Sequence, residues 1–223
     1  MTNRLTMAPK RAKSFAPNAF QCRHLLLAHG AGAPMTSPFM EAICTALADF
    51  GVTTTRFEFA YMAARREGGC RRPPPKAEKL IPEFLDVLEA TKADLKTKTK
   101  IAIGGKSMGG RVASMIAQHC FTKGQTSALV CLGYPFHPQK KPTVLRTAHL
   151  KNLTCPALIV QGERDALGDL REVKAMELPS AIKIHWSPDG DHDLKPRVRS
   201  GHTQEGNIRE AAKAIAGFLE RLD

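Results

Sequence analysis

The sequence predicts an α/β domain, a mostly parallel sheet of about six strands with helices on both faces. Two observations carry this. From His24 onward, short apolar runs alternate with segments of helical periodicity, the pattern of strand–helix–strand units. At 223 residues, with 43% hydrophobic and 24% charged side chains, the chain is long enough for one continuous core and ordinary for a globular domain.

The elements follow in order. His24–His29 reads as a buried strand that runs into the small-residue loop Gly30-Ala31-Gly32-Ala33-Pro34. Ser37–Phe50 is a helix, with Met40, Ile43, Cys44 and Leu47 on one face and Gly51 as its stop. Val52–Phe59, β-branched and aromatic, is the next strand, and Tyr61–Lys76 an irregular basic loop ending in Pro73-Pro74-Pro75. A helix is predicted from about Lys76 to Leu95, its start blurred by Pro82, then a solvated linker Lys96–Lys100. Lys100–Gly104 is a strand and Arg111–Cys120 a helix. Ala128–Gly133, Ala157–Gln161 and Ile182–Trp186 are further strands, and the amphipathic helix Gln204–Leu222 closes the domain. There is no internal repeat; residues 1–22 read as a basic, poorly ordered tail and 23–223 as the domain.

Three segments carry chemistry, each just after a strand. Gly105-Lys106-Ser107-Met108-Gly109 is a Gly-x-Ser-x-Gly turn. A serine hydroxyl must stand clear of the sheet and have a base to take its proton, and glycines two residues either side make room for the tight turn. The helix behind Ser107 points its N-terminal amides at the site, and the amide of Met108 is placed to stabilise an oxyanion; the second donor is assigned to Ala31, with Gly30 and Gly32 as supports and His29 shaping the loop. Gly162-Glu163-Arg164-Asp165 offers Asp165 as the carboxylate that orients a histidine, with Glu163 and Asp169 as rivals. Gly190-Asp191-His192 offers His192 as the base among eight histidines, His185 and His202 being less well placed. The order Ser, Asp, His differs from the chymotrypsin and subtilisin orders. Gly105-Lys106-Ser107 also mimics the end of a phosphate-binding loop, but that motif needs glycine where Lys100 stands.

With these motifs the chain resembles the α/β-hydrolase superfamily, within its small, lidless group of dienelactone-hydrolase-like and testis-expressed-protein-30-like members. The resemblance spans about residues 24–222 and rests on Leu27-Ala28-His29-Gly30-Ala31-Gly32-Ala33, Arg71-Arg72-Pro73-Pro74 and Gly104–Gly110, together with Gln161–Asp165 and Gly190–His192. It implies a triad of Ser107, Asp165 and His192, and, from the short segment Tyr134–Leu150, a minimal or absent cap. Some relatives act in protein assemblies, so an interaction module with little turnover is the alternative to an enzyme.

The expected activity is serine-dependent cleavage of an ester, thioester or lactone through an acyl-enzyme, on a small-molecule acyl substrate and with no cofactor or metal. The net charge of +12 collects in blocks. Residues 1–40 hold no acid, a composition that also mimics a targeting segment. Arg65–Lys76 forms a second block, in which Arg71 and Arg72 are candidate anion-binding residues of the substrate site. No nucleic-acid motif or aromatic-interleaved patch accompanies the charge. No run reaches the roughly 20 apolar residues of a membrane span. The six cysteines are scattered, with no Cys-x-x-Cys pair, as reduced thiols of a cytoplasmic protein would be. Oligomeric state is not encoded in any motif.

Overall fold

The structure, a computed structural model, describes residues 23–66, 68, 73–95 and 100–222. The basic tail 1–22, the linker residues 96–99 and both Arg71 and Arg72 lie outside the described residues. Six strands, β1 (Arg23–Ala28), β2 (Val52–Phe57), β3 (Ile101–Lys106), β4 (Ala128–Leu132), β5 (Ala157–Gly162) and β6 (Ile182–Ser187), form one sheet in the order β2-β1-β3-β4-β5-β6. All five pairings are parallel.

Side chains alternate across a strand, and both faces of this sheet are covered. Leu26 and Ala28, with Ile103, Leu129 and Ile159, pack under α3 (Ile81–Leu95) and α4 (Met108–Thr122), where Phe84, Leu88, Val112 and Ile116 are buried. Leu25 and Leu27, with Val130 and Val160, face α1 (Pro38–Asp49) and α6 (Gln204–Glu220) through Met40, Leu47, Ala212 and Ile215. Truncating one of these buried leucines to alanine costs about 2–5 kcal/mol.

Three sequence expectations need correction. Tyr61–Lys76 is not irregular throughout: α2 (Ala60–Arg66) occupies its start, buries Met62, and has its Ala60 N–H bound by Glu83. The helix predicted from Lys76 begins as a 3₁₀ turn, Ala77–Leu80, before α3; Pro82, lacking an N–H, falls in the first turn of α3 where none is needed. The helix after the serine starts at Met108 rather than Arg111, so Gly109 and Gly110 lie inside its first turn. A further short helix, α5 (Leu170–Lys174), is closed by an Asp169–Glu172 capping box. Between β4 and β5 the chain carries one 3₁₀ turn, Ala148–Leu150, and no helical cap. Among the described residues no helix is long and apolar enough to cross a membrane. Cys44, Cys120, Cys131 and Cys155 are buried free thiols.

Candidate active site

The chain runs from β1 outward to β2, then returns past β1 to β3, so the carboxyl ends of β1 and β3 bracket a topological switch point. Ser107 stands there, directly after β3. Its backbone is at φ 51°, ψ −113°, a conformation a side-chain-bearing residue adopts only when its surroundings enforce it. The enforcing bonds run from Ser107 N–H to Leu132 O (2.9 Å) and from Arg111 N–H to Ser107 O (3.0 Å).

The flanking glycines are demanded by backbone. A Cβ on Gly105 would lie 2.6 Å from Ala28 O and from the Gly109 carbonyl carbon, and one on Gly109 2.5 Å from Ala28 O. Glycine here lets the end of β1 pass against the serine turn. Gly30 and Gly32 differ: a Cβ at Gly30 comes no nearer than 3.6 Å to its neighbours, and one at Gly32 meets nothing within 4 Å.

The loop after β1 is held from behind. His29 is fully buried; its Nδ1–H donates to Gly30 O (2.6 Å) and its Nε2 accepts the Phe59 N–H (3.2 Å). Burial pulls its pKa down to about 4, so the ring is neutral at neutral pH and can fill both roles. Tyr61 OH donates to Ala31 O (3.1 Å), and Arg65 reaches the same oxygen (3.4 Å). With these carbonyls turned toward His29 and Tyr61, the trans peptides turn the N–H groups of Ala31 and Gly32 the opposite way. Ala31 lines the clefts on both sides of Ser107. Met108, the first residue of α4, keeps its N–H outside the helical ladder.

Asp165 is fully buried in the turn after β5. Its Oδ2 lies 2.8 Å from His192 Nδ1 and 2.9 Å from Gln161 Nε2, and its Oδ1 accepts the Leu167 N–H at 2.9 Å. An ionised carboxylate only accepts, so His192 donates from Nδ1 and leaves Nε2 as its basic nitrogen. The rivals are otherwise engaged. Glu163 accepts the Asp189 N–H, and Asp169 caps α5. Asp191 binds the amides of Asp193 and Lys195, and Asp189 pairs with Arg197 and Arg164; these carboxylates build the loop that carries His192. Ser107 and His192 line one cleft without a direct hydrogen bond, a contact that in unliganded sites is often long.

Four residues have roles that the motifs did not disclose. Gln161, buried at the end of β5, holds Asp165 and also accepts the Tyr134 N–H at 2.7 Å. A lone polar side chain closing the apolar run Ala157–Val160 was the available signal, because a buried amide must have partners. Gly162 is required by the His192 loop: a Cβ there would sit 2.2 Å from Asp191 O. Gly133, at φ 63°, approaches the His192 carbonyl and ring, and a Cβ would lie 2.9 Å from that carbonyl oxygen. Lys106, almost wholly buried, sends Nζ to His192 O (2.8 Å) and to Asp193 Oδ1 (3.1 Å), above the face of Phe39. Burial lowers its pKa while Asp193 opposes that shift.

Two clefts flank Ser107. One, of about 480 Å³, is shared by Ser107, His192, Lys106 and the Gly30–Ala33 loop. The other, of about 430 Å³, is bounded by Ser107, Met108, Arg111, Arg146 and the prolines Pro74, Pro75 and Pro135. Two larger grooves, of about 610 and 660 Å³, lie elsewhere, and neither brings a serine, a histidine and a carboxylate together. Of the second basic block, Arg65 supports the Ala31 carbonyl and Arg66 pairs with buried Glu58. Among the described residues no group of three or more His, Cys, Asp or Glu side chains is arranged to hold a metal ion.

Dienelactone hydrolase from Anabaena variabilis superposes with a TM-score of 0.69 at 17% identity, over 96% of this chain and 99% of that one. An alpha-beta serine hydrolase homologue from Coxiella burnetii gives 0.68 at 16% identity, over all of both chains. The esterase domain of a Rhodothermus marinus protein gives 0.65 at 13%, over 96% and 99%. At such identities the likeness is one of fold. A family model described as an alpha/beta hydrolase domain matches residues 21–220, nearly the whole chain, and the sheet order and the serine turn at its switch point agree with it: the chain belongs to the alpha/beta hydrolase family.

Proposed function

We propose that the protein is a serine hydrolase that cleaves an ester, thioester or lactone of a small molecule through an acyl-enzyme. The observation that carries this is the pairing of His192 with buried Asp165, 2.8 Å apart, at the carboxyl edge of the same parallel sheet as a serine held at φ 51°.

Ser107 Oγ attacks the substrate carbonyl as His192 Nε2 takes its proton, and the carbonyl π pair moves onto oxygen. The N–H groups of Met108 and Ala31 meet that oxyanion, aided by the positive end of the α4 dipole. Collapse breaks the bond to the leaving group, which receives the proton from His192. Water, deprotonated by the same nitrogen, then attacks the acyl carbon; as that intermediate collapses, the acyl–Oγ bond breaks, His192 returns the proton to Ser107 Oγ and the acid is released. Asp165, held in place by Gln161 and the Leu167 amide, fixes the His192 tautomer and stabilises its imidazolium. The esterase and dienelactone hydrolase among the structural neighbours lend the reading support.

The test is hydrolysis of 4-nitrophenyl acetate by the wild type and by Ser107→Ala and His192→Ala. Each variant should lose about 10³–10⁴-fold in kcat while staying folded. Turnover unchanged in Ser107→Ala would reject the reading. A folded wild type that turns over no acyl ester would favour an interaction module.

A further inference from the structure

We propose that the cleft on the Arg111 side of Ser107 is a carboxylate-binding subsite, in which Arg146 and Arg111 hold an acidic group carried by the ester substrate. The inference rests on the hydrolase reading above and names the class of substrate it acts on.

Position comes first. Arg111 lies four residues after Ser107, and its N–H is bonded to Ser107 O. It therefore shares the serine's face of α4, about 6 Å further along the axis. Arg146 reaches the same cleft from the segment between β4 and β5, and Ala31 and Met108 line it too. A carboxylate gripped there would sit a few carbon atoms from a carbonyl at Ser107.

Charge points the same way. Arg111 pairs with Glu78 at 3.0 Å, and that carboxylate is half exposed. Its Nε is buried and unpartnered. The Arg146 guanidinium makes no hydrogen bond or ion pair among the described residues, although its backbone is tied to Phe136 and Tyr134. Burial, and then the charge of Arg111, disfavour its protonated form. Two partly desolvated guanidinium groups, with Lys76 also lining the cleft, face the one exposed carboxylate of Glu78; this costs free energy, and an incoming oxyanion relieves it. A guanidinium fork also matches a carboxylate edge to edge, which selects a planar two-oxygen group. The cleft on the other side has no such vacancy, because Lys106 is already matched by Asp193 and the His192 carbonyl.

The test uses Arg146→Ala, since the Arg146 guanidinium makes no hydrogen bond or ion pair among the described residues, and reads both turnover and binding. Turnover of 4-nitrophenyl butyrate, which is neutral, is compared with that of mono-4-nitrophenyl glutarate. Arg146→Ala should raise KM for the glutarate ester about tenfold or more, leave the neutral ester within about twofold, and be partly rescued by Arg146→Lys. Independently of turnover, glutarate should bind the Ser107→Ala protein at low salt in calorimetry, and this binding should vanish on adding Arg146→Ala. Equal effects on the two esters would overturn the subsite, as would a loss of selectivity confined to Arg71→Ala/Arg72→Ala. If neither ester is hydrolysed yet glutarate binding depends on Arg146, the hydrolase reading fails and the subsite stands. If the esters are hydrolysed but glutarate does not bind, the subsite fails alone.

Discussion

On one side of Ser107, Lys106 spends its ammonium on the His192 carbonyl and the Asp193 carboxylate; on the other, Arg111 pairs with Glu78 while the Arg146 guanidinium makes no ion pair among the described residues. Both sides put cationic groups within reach of the same serine, and both partly remove them from water. They differ in saturation. A buried cation whose partners are all backbone and loop groups fixes geometry, here the distance between the His192 loop and the strand that carries Ser107. A cation left with unfilled donors facing a cleft can act on a ligand. Positive charge near a reactive residue is thus no guide to its use until its partners are counted.

The comparison can be broken on the His192 side without touching the arginines. The largest effect should come from Gly162→Ala. Its Cβ would overlap Asp191 O at 2.2 Å and push the His192 loop outward. A displacement of about 1 Å costs on the order of a hundredfold in kcat. Gly32→Ala, whose Cβ meets nothing within 4 Å, should be near wild type, and steady-state kinetics on both variants checks the pair. Equal behaviour would show that the glycines are not distinguished by space.

Lys106→Met should come next. Losing the hold on His192 O and Asp193 should lower kcat about tenfold for neutral and anionic esters alike, and lower stability by about 1–3 kcal/mol. Arg146→Ala should instead change selectivity and leave the melting temperature in place. The two variants measured together sharpen the contrast between a cation that positions and a cation that binds; Lys106→Met acting only on anionic substrates would erase it.

The smallest effect concerns the loop after β1. His29 is neutral in the fold, its pKa lowered from its ordinary value of 6.5 to about 4 by burial. The unfolded chain therefore binds a proton that the folded one refuses, and stability falls as pH drops from about 6.5 to about 4. A His29→Gln variant, less stable at pH 7, should lose less over that window in thermal melts. His24, lowered to about 4 by the same cause, adds a parallel loss that His29→Gln leaves in place.

The fold and the positions of Ser107, Asp165 and His192 were legible because each is local. Apolar strands such as Leu25–Ala28 announce themselves by composition, and a tight turn needs its glycines at fixed spacing. What escaped was tertiary or too short for periodicity. The seven residues of α2 and the five of α5 span two turns or fewer, and capping rather than pattern defines α5. Gly109 and Gly110 lie inside the first turn of α4 for tertiary reasons: a Cβ on Gly109 would meet Ala28 O of β1 at 2.5 Å, and one on Gly110 would meet Gly105 O at 2.6 Å. Lys106 was visible only as the variable residue of a motif, and its partners arrive from the other end of the sheet. Arg146 meets Arg111 only because a capless segment folds back over α4.

The most direct test is reaction with a fluorophosphonate followed by intact-mass and peptide mass spectrometry. An activated serine predicts one phosphonyl adduct, on the peptide containing Ser107, absent in Ser107→Ala and formed far more slowly in Asp165→Asn. An adduct on another residue, or a folded wild type that stays unmodified while its Ser107 lies in an accessible cleft, would contradict the account.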